Sequence, residues 1–303
     1  MAAAVDQGPA LDILEPSLLG KLSRLRLSAP RSFPGSSSGK RLSRARGAEG
    51  MEFADHKEYS AGDDFRNIDW NVYARLDELV VKNFETEENL RIYVLLDTSA
   101  SMAFGEPAKE AVARRIAAAL AYLGFVNEDW TGVFTFGETL RDNFISAGKP
   151  KLRALGEFLS SAKCAGQTDF AAAFKAFSIQ HARPGLAFIL SDFWNAGNLD
   201  AALKFLACNR FCVAALHLLD PAEEDPTIAG DMDLCDLETG ETVPLTSRGD
   251  TAEKYRALVK AHCTRVAGAF AAYNATYLKV STRDNLEHLL LNILKRKQLV
   301  RAR

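Results

Sequence analysis

Asp97, Ser99 and Ser101 stand at alternating positions directly after the apolar run Ile92-Tyr93-Val94-Leu95-Leu96. A carboxylate and two hydroxyls leaving a strand together form an all-oxygen cluster, which suits a hard divalent cation, Mg²⁺ or Mn²⁺. Two further oxygen side chains arrive later in the chain. Thr168 lies in the loop Gly166-Gln167-Thr168-Asp169, and Asp192 follows the apolar run Leu186–Leu190. Taken singly, each is an ordinary turn or helix-cap residue. Taken together in this order, they read as one metal site. Such a site leaves the metal a free position for an incoming Glu or Asp from a protein partner. No nucleophile–base pair accompanies it, so the expected activity is binding, not catalysis.

The flanking pattern supplies the elements that bring these residues together. From Arg91 onward, short continuous apolar runs alternate with amphipathic segments. Strands are expected at Ile92–Leu96, Gly132–Phe136, Leu186–Leu190, Phe211–Leu218 and Thr276–Val280. Helices are expected at Pro107–Val126, Lys151–Ala162, Phe170–His181, Leu199–Cys208 and Ala252–Tyr273, and a last one opens at Asp284-Asn285-Leu286-Glu287. Thr139–Ile145 reads as an edge strand, and Met232–Leu245 as an inserted hairpin turning at Glu238-Thr239-Gly240-Glu241. Buried strands separated by helices predict an α/β fold, doubly wound, with a mostly parallel central sheet and helices on both faces. Ligands of such sheets bind beyond the carboxyl ends of the strands, where Asp97 and Asp192 stand. The shared parity of 97, 99 and 101 predicts an extended or gently turning backbone there.

Three segments are expected. Residues 1–38 form a basic leader, partly helical from Pro16. Residues 39–90 are a charge-dense, aromatic, β-rich extension packed on the main domain. Residues 91–303 are the α/β domain. In the extension, Arg66 and Arg75 are set to pair with Asp63, Asp64 or Asp69, and Gly62 permits a tight turn. That segment reads either as a charge-locked strand pair covering a sheet edge or as a surface that recognises a partner.

The composition limits the function classes. The 303 residues are 48% hydrophobic and 25% charged with a net charge of −2, so no global attraction to nucleic acid or membrane is expected. The five cysteines lack paired CxxC spacing, which fits a reduced compartment. The chain shows no signal-peptide pattern and no apolar stretch of membrane-spanning length, so a cytoplasmic location is expected. No phosphate-cradling GxxxxGK[ST] loop is present, so the chain does not read as an ATPase.

Asp97-x-Ser99-x-Ser101 followed by Thr168 and Asp192 resembles the metal-ion-dependent adhesion site of von Willebrand factor A domains. That resemblance implies Ser99, Ser101 and Thr168 as direct ligands, with Asp97 and Asp192 acting mainly through water. The segment Glu52-Phe53, Tyr59-Ser60-Ala61-Gly62-Asp63-Asp64-Phe65-Arg66, Ile68-Asp69-Trp70 and Ala74-Arg75 resembles the family called domain of unknown function 58, which pairs it with a von Willebrand A-like domain. The resemblance covers nearly all of residues 39–303. It implies a non-enzymatic adaptor that works with a MoxR-type AAA+ ATPase in chaperone-like assembly or maturation. Many relatives carry an N-terminal membrane hairpin, a feature with no counterpart here.

Two other readings stay open. Asp97 could serve as nucleophile in Mg²⁺-dependent phosphoryl transfer, although such enzymes place a second acid where this chain has Ser99. The basic leader could bind nucleic acid, which predicts strongly salt-dependent binding.

Overall fold

The computed structural model describes residues 14–28, 36–37, 40–43, 52–60, 63, 65–88, 90–146, 151–181, 183–226, 231–246 and 251–302. The chain divides into two compact units, one made of residues 1–30 and 91–303 and the other of residues 31–90.

The larger unit begins with helix α1 (Pro16–Leu22), opened by Pro16 at its first position, and strand β1 (Leu25–Leu27). Leu18 and Leu22 are buried. Lys21 reaches across the sequence to Glu287 at 2.7 Å.

The smaller unit carries β2 (Ser36–Ser37), β3 (Lys40–Ser43), β4 (Glu52–Glu58), helix α2 (Trp70–Leu76) and β5 (Val80–Glu88). Its strands form a sheet in the order β2-β3-β5-β4, all pairs antiparallel. Asp69 caps α2 by accepting from the Asn71 and Val72 amides, and also pairs with His56 at 3.0 Å. Asp63 pairs with Lys57 at 3.1 Å. Gly62 and Asp64 lie outside the described residues. Phe65 and Trp70 are 67% and 61% exposed, so this unit presents aromatic surface.

The larger unit resumes with β6 (Arg91–Asp97), α3 (Lys109–Val126), β7 (Trp130–Phe136), β8 (Leu140–Ser146), α4 (Leu152–Ser161), α5 (Phe170–Gln180), β9 (Leu186–Ser191), α6 (Leu199–Cys208) and β10 (Cys212–Leu219). It ends with α7 (Pro221–Glu224), the hairpin β11 (Asp231–Cys235) and β12 (Thr242–Thr246), α8 (Thr251–Ala272), β13 (Thr276–Ser281), a helical stretch over 286–296 and β14 (Val300–Ala302). β1 pairs with β14, which ties both ends of the unit together. The last helical stretch is capped by Asn285, whose side chain accepts from the His288 amide, while Asp284 serves the Ser281 amide. Its middle, Leu289–Ile293, widens into a π-helical turn.

Six strands make the central sheet in the order β13-β10-β9-β6-β7-β8. All pairs are parallel except β7 with the edge strand β8. Alternate residues of β6 and β7, Tyr93, Leu95, Phe134 and Phe136, pack with Phe174 and Phe177 of α5, Leu203 of α6 and Phe270 of α8. α3 covers β6 and β7 through Val112, Ile116, Leu120 and Leu123, all buried. The expected doubly wound α/β architecture is therefore present. The chain moves outward to β7 on one side of β6 and to β9 on the other, so the switch point lies between β6 and β9.

Candidate metal centre

The register of the two central strands sets the site. Leu96 of β6 lies opposite Leu190 of β9, so the next pair up is Asp97 beside Ser191. The Ser191 hydroxyl donates to Asp97 Oδ2 at 2.5 Å. The Thr168 hydroxyl donates to Asp97 Oδ1 at 3.0 Å, and the Ser99 amide donates to the same oxygen at 2.9 Å. That last bond makes Asp97 the lead residue of a tight turn. The backbone then enters a short 3₁₀ turn over Ala100–Ala103. Ser99 and Ser101 thus meet, Oγ to Oγ at 3.0 Å, through a turning backbone, one of the two forms expected from sequence.

Three loops are laced to hold these groups. The Ala165 amide donates to Thr98 O at 3.0 Å and the Ala100 amide to Gly166 O at 2.9 Å. Arg141 of β8 donates to Thr98 O at 3.0 Å and to Ala165 O at 2.7 Å. Asn195 Nδ2 donates to Thr168 O at 2.9 Å. Asp169, next to Thr168, caps α5 through the Ala172 amide, which frees Thr168 to face Asp97.

Asp192 directly follows β9 and enters a buried ion pair. Lys109, the first residue of α3 and fully buried, places Nζ 2.6 Å from Asp192 Oδ2 and 2.5 Å from Glu223 Oε1. Burial alone would lower the lysine's pKa, but the two carboxylates outweigh it and hold the ammonium above its usual range. Trp194 Nε1 donates to the same Glu223 oxygen at 2.9 Å. Phe193, between Asp192 and Trp194, has a φ of 51° and is fully buried. A left-handed phenylalanine is costly, of order 1–3 kcal/mol, and is maintained here by the surrounding aromatic packing. Glu223 is fixed in turn by a capping box with Asp220, whose carboxylate also accepts from Thr282 at 2.6 Å. Gly105 (φ 101°) passes so close that a Cβ would lie 2.8 Å from Asp220 Oδ2, which leaves glycine as the residue that fits there.

The structure thus brings all five expected residues, Asp97, Ser99, Ser101, Thr168 and Asp192, to the carboxyl ends of the central strands. Three parts of the site were not singled out from sequence: Ser191, Lys109 and Glu223. A signal for Lys109 existed. A lysine in the first turn of a helix opposes the helix dipole, which makes a buried acidic partner its natural explanation.

The donor set fits a hard cation. Asp97, Asp192 and Glu223 set three carboxylates against one ammonium. Burial, then the Asp192 charge, pushes the Asp97 carboxyl up to about 6. Among the described residues no three His, Cys, Asp or Glu side chains gather as a metal cluster, so a cation would depend on the hydroxyls. Both Asp97 oxygens accept hydrogen bonds, and the residue is 1% exposed.

A cavity of about 910 Å³ opens beside the cluster, lined by Ser101, Trp194, Glu223 and the hairpin residue Glu238 on one side and by Tyr255 and Leu258 of α8 on the other. Burial raises the Glu238 carboxyl above the usual carboxylate range. Among the described residues no helix is long and apolar enough to cross a membrane.

The chain is 27% identical to the uncharacterized protein Rv1480 of Mycobacterium tuberculosis, over 98% of this chain and 96% of that one. It is 30% identical to the uncharacterized protein MAV169 of Mycobacterium avium, over 43% of this chain and 77% of that one. Among solved structures, the hypothetical protein BatB of Bacteroides thetaiotaomicron matches at 17% identity with a TM-score of 0.42, covering 69% of this chain and 98% of that one. The family model "Protein of unknown function DUF58" matches residues 55–265, and the chain belongs to that family.

Proposed function

We propose that this protein is a non-enzymatic interaction module that captures an acidic side chain of a protein partner through a divalent cation, Mg²⁺ or Mn²⁺. The observation that carries this reading is the convergence of Ser99, Ser101 and Thr168 around the buried Asp97 carboxylate, with too little positive charge nearby to balance the acids. Ser99, Ser101 and Thr168 would hold the cation, with Asp97 and Asp192 supplying charge behind them. The cation would supply Lewis acidity toward an incoming carboxylate. The protein's own part is to orient the hydroxyls, exclude water from Asp97 and hold Asp192 in place beside Lys109.

The resemblance to family members suggests a MoxR-type AAA+ ATPase as the partner class, in chaperone-like assembly or maturation. The exposed Phe65 and Trp70 of the smaller unit are suited to a protein contact beyond the metal site.

The test is affinity capture with the immobilised chain in Mg²⁺ and in EDTA, run in parallel with Asp97→Ala. Partners retained by the wild type in Mg²⁺, and lost both in EDTA and with the folded variant, support the reading. Retention that ignores both the chelator and the variant removes it.

A further inference from the structure

The central sheet ends at β13, and among the described residues no strand lies beyond it. In a parallel ladder one residue turns its N–H and C=O to one neighbour, and the next residue turns both the other way. The Thr282 amide donates to Leu219 O of β10 at 3.0 Å, so Leu278 and Val280 also face β10 while Tyr277, Lys279 and Ser281 face outward. Ser281 is satisfied locally: its amide donates to Asp284 Oδ2 at 2.9 Å, and its carbonyl accepts from the Asp284 amide at 3.0 Å. The Ala275 amide is taken by Phe270 O at 3.0 Å. What stays open is the stretch between, where the outward N–H and C=O groups of Tyr277 and Lys279 have no backbone partner among the described residues.

The side chains of the same two residues border a groove of about 500 Å³ under α8, while Leu278 and Val280 are buried on the opposite face of the sheet. The α8 wall of the groove includes Arg256, Lys260, Cys263 and Thr264, at the three- and four-residue spacing of one helix face. Arg256 pairs with Asp225 at 2.7 Å and Lys279 with Glu224 at 2.6 Å. Pairs this exposed stabilise little, so an incoming carboxylate exchanges for them readily. Lys260 makes no ion pair among the described residues. The groove thus sets three cations against two carboxylates, in a chain whose net charge is −2. A single lysine on an edge strand is the ordinary guard against strand pairing. Here Lys260 and Arg256 join it across a groove, which turns a general guard into a selector that repels basic strands and admits acidic ones.

We propose that the β13 edge and the α8 groove together dock an extended acidic segment of a protein partner, added to the sheet as a further strand. A strand seated there pairs with the outward groups of Tyr277 and Lys279 and places alternate side chains on the α8 face, over the groove. Those side chains meet Arg256, Lys260 and Lys279, so acidic residues at alternate positions are the ones accepted. The intervening side chains lie on the face of Leu278 and Val280, which suits β-branched residues. This contact uses none of the oxygen ligands of the metal centre, and it stands or falls apart from the metal reading.

The probe is a synthetic peptide alternating Glu and Val, with a peptide alternating Lys and Val as its counterpart, added to the full chain in EDTA. Binding is read by fluorescence anisotropy, and amide hydrogen exchange by nuclear magnetic resonance. In the free protein the Tyr277 and Lys279 amides are expected to exchange faster than those of Leu278 and Val280. The Glu peptide is expected to bind, more weakly as salt rises, and to slow exchange at Tyr277 and Lys279, while the Lys peptide does not bind. Lys260→Glu is expected to weaken binding by about fivefold or more. Lys279→Pro is expected to abolish it, since proline removes an outward donor that the β10 ladder does not use. Lys260→Glu, on the exposed face of α8, decides the matter even if proline disturbs β13. Lys175→Glu, an exposed change on α5, is expected to bind like wild type. No binding of the Glu peptide by wild type, equal binding by Lys260→Glu, or binding that leaves exchange at Tyr277 and Lys279 unchanged overturns the proposal. Protection of those amides that rises with protein concentration, without peptide, also overturns it and makes the edge a contact between copies of this chain.

Discussion

Lys109 and Asp192 form a buried ion pair, Nζ to Oδ2 at 2.6 Å, across 83 residues of sequence. The pair joins the start of α3 to the end of β9, and through Glu223 to the short helix α7. It therefore fixes the outer wall of the oxygen cluster while leaving the hydroxyl side open. Asp192 is neutralised locally, but Asp97, held by hydroxyls and an amide, is not.

That asymmetry makes Lys109→Met an informative variant. Removing the ammonium leaves Asp192 and Glu223 buried against one another. Losing one partner of a buried pair costs about 3–5 kcal/mol. Urea denaturation in EDTA is expected to show a loss of that size. A variant as stable as wild type would mean that water already reaches the pair and that it does not organise the wall.

A second expectation concerns Mg²⁺ itself. A ligand bound by the native state alone stabilises by about 2.7 kcal/mol at a hundredfold excess over its dissociation constant. Thermal unfolding of the wild type is expected to shift upward in Mg²⁺ relative to EDTA. Asp97→Asn removes a buried carboxyl whose pKa stands near 6, so in EDTA it is expected to be no less stable than wild type and to gain nothing from Mg²⁺. Equal Mg²⁺ shifts in both proteins would place the cation elsewhere.

Much of this site was legible in the sequence because parallel strands announce themselves. Ile92–Leu96 and Leu186–Leu190 are unbroken apolar runs, and the oxygen side chains follow them directly. What sequence could not supply was register. Ser191 donates to Asp97 because Leu96 lies opposite Leu190, a pairing that no local pattern encodes. Lys109 was hidden for a related reason, since its partners are 83 and 114 residues away. Glu238 was read as part of a turn, correctly, but a turn's sequence does not say which surface it leans on. The shared parity of 97, 99 and 101 left open an extended or a turning backbone, and the choice is made by the Ser99 amide, which turns back onto Asp97 ahead of a 3₁₀ turn.

The cysteines give a chemical check on burial. Cys208 and Cys235 are exposed. Burial pushes the Cys212 thiol up to about 12, and burial followed by the Glu110 hydrogen bond raises Cys164 as well. Since the thiolate is the reactive form, a disulfide reagent at pH 8 is expected to label Cys208 and Cys235 fast in the native protein. Cys212 and Cys164, both half-buried and with raised thiol pKa, are expected to react more slowly than these two. Rapid labelling of Cys212, read by peptide mapping, would contradict the packing of β10 against β9.

His217 provides a pH dependence with a defined sign. It is fully buried on β10, with Nδ1 2.7 Å from the Tyr277 hydroxyl and its ring edge-on to Phe193 and His262. Burial depresses its pKa to about 4; the Asp192 charge opposes this, while His262 and Lys109 add to it. The unfolded chain therefore takes up a proton at this site first, near pH 6.5, and the native state follows near 4. Stability from a neutral His217 is complete above pH 6.5 and is lost as the pH falls through that window, at about 1.4 kcal/mol per pH unit. Asp97 acts oppositely over much of the same range in EDTA, because its raised pKa favours the native state as it protonates. The difference between wild type and His217→Gln cancels the Asp97 contribution. The wild type is expected to lose stability relative to the variant as pH is lowered from 6.5 toward 4, measured by denaturant titration at each pH. Parallel curves would mean that His217 is protonated in the folded protein, which would require its edge-on contact with Phe193 to admit water.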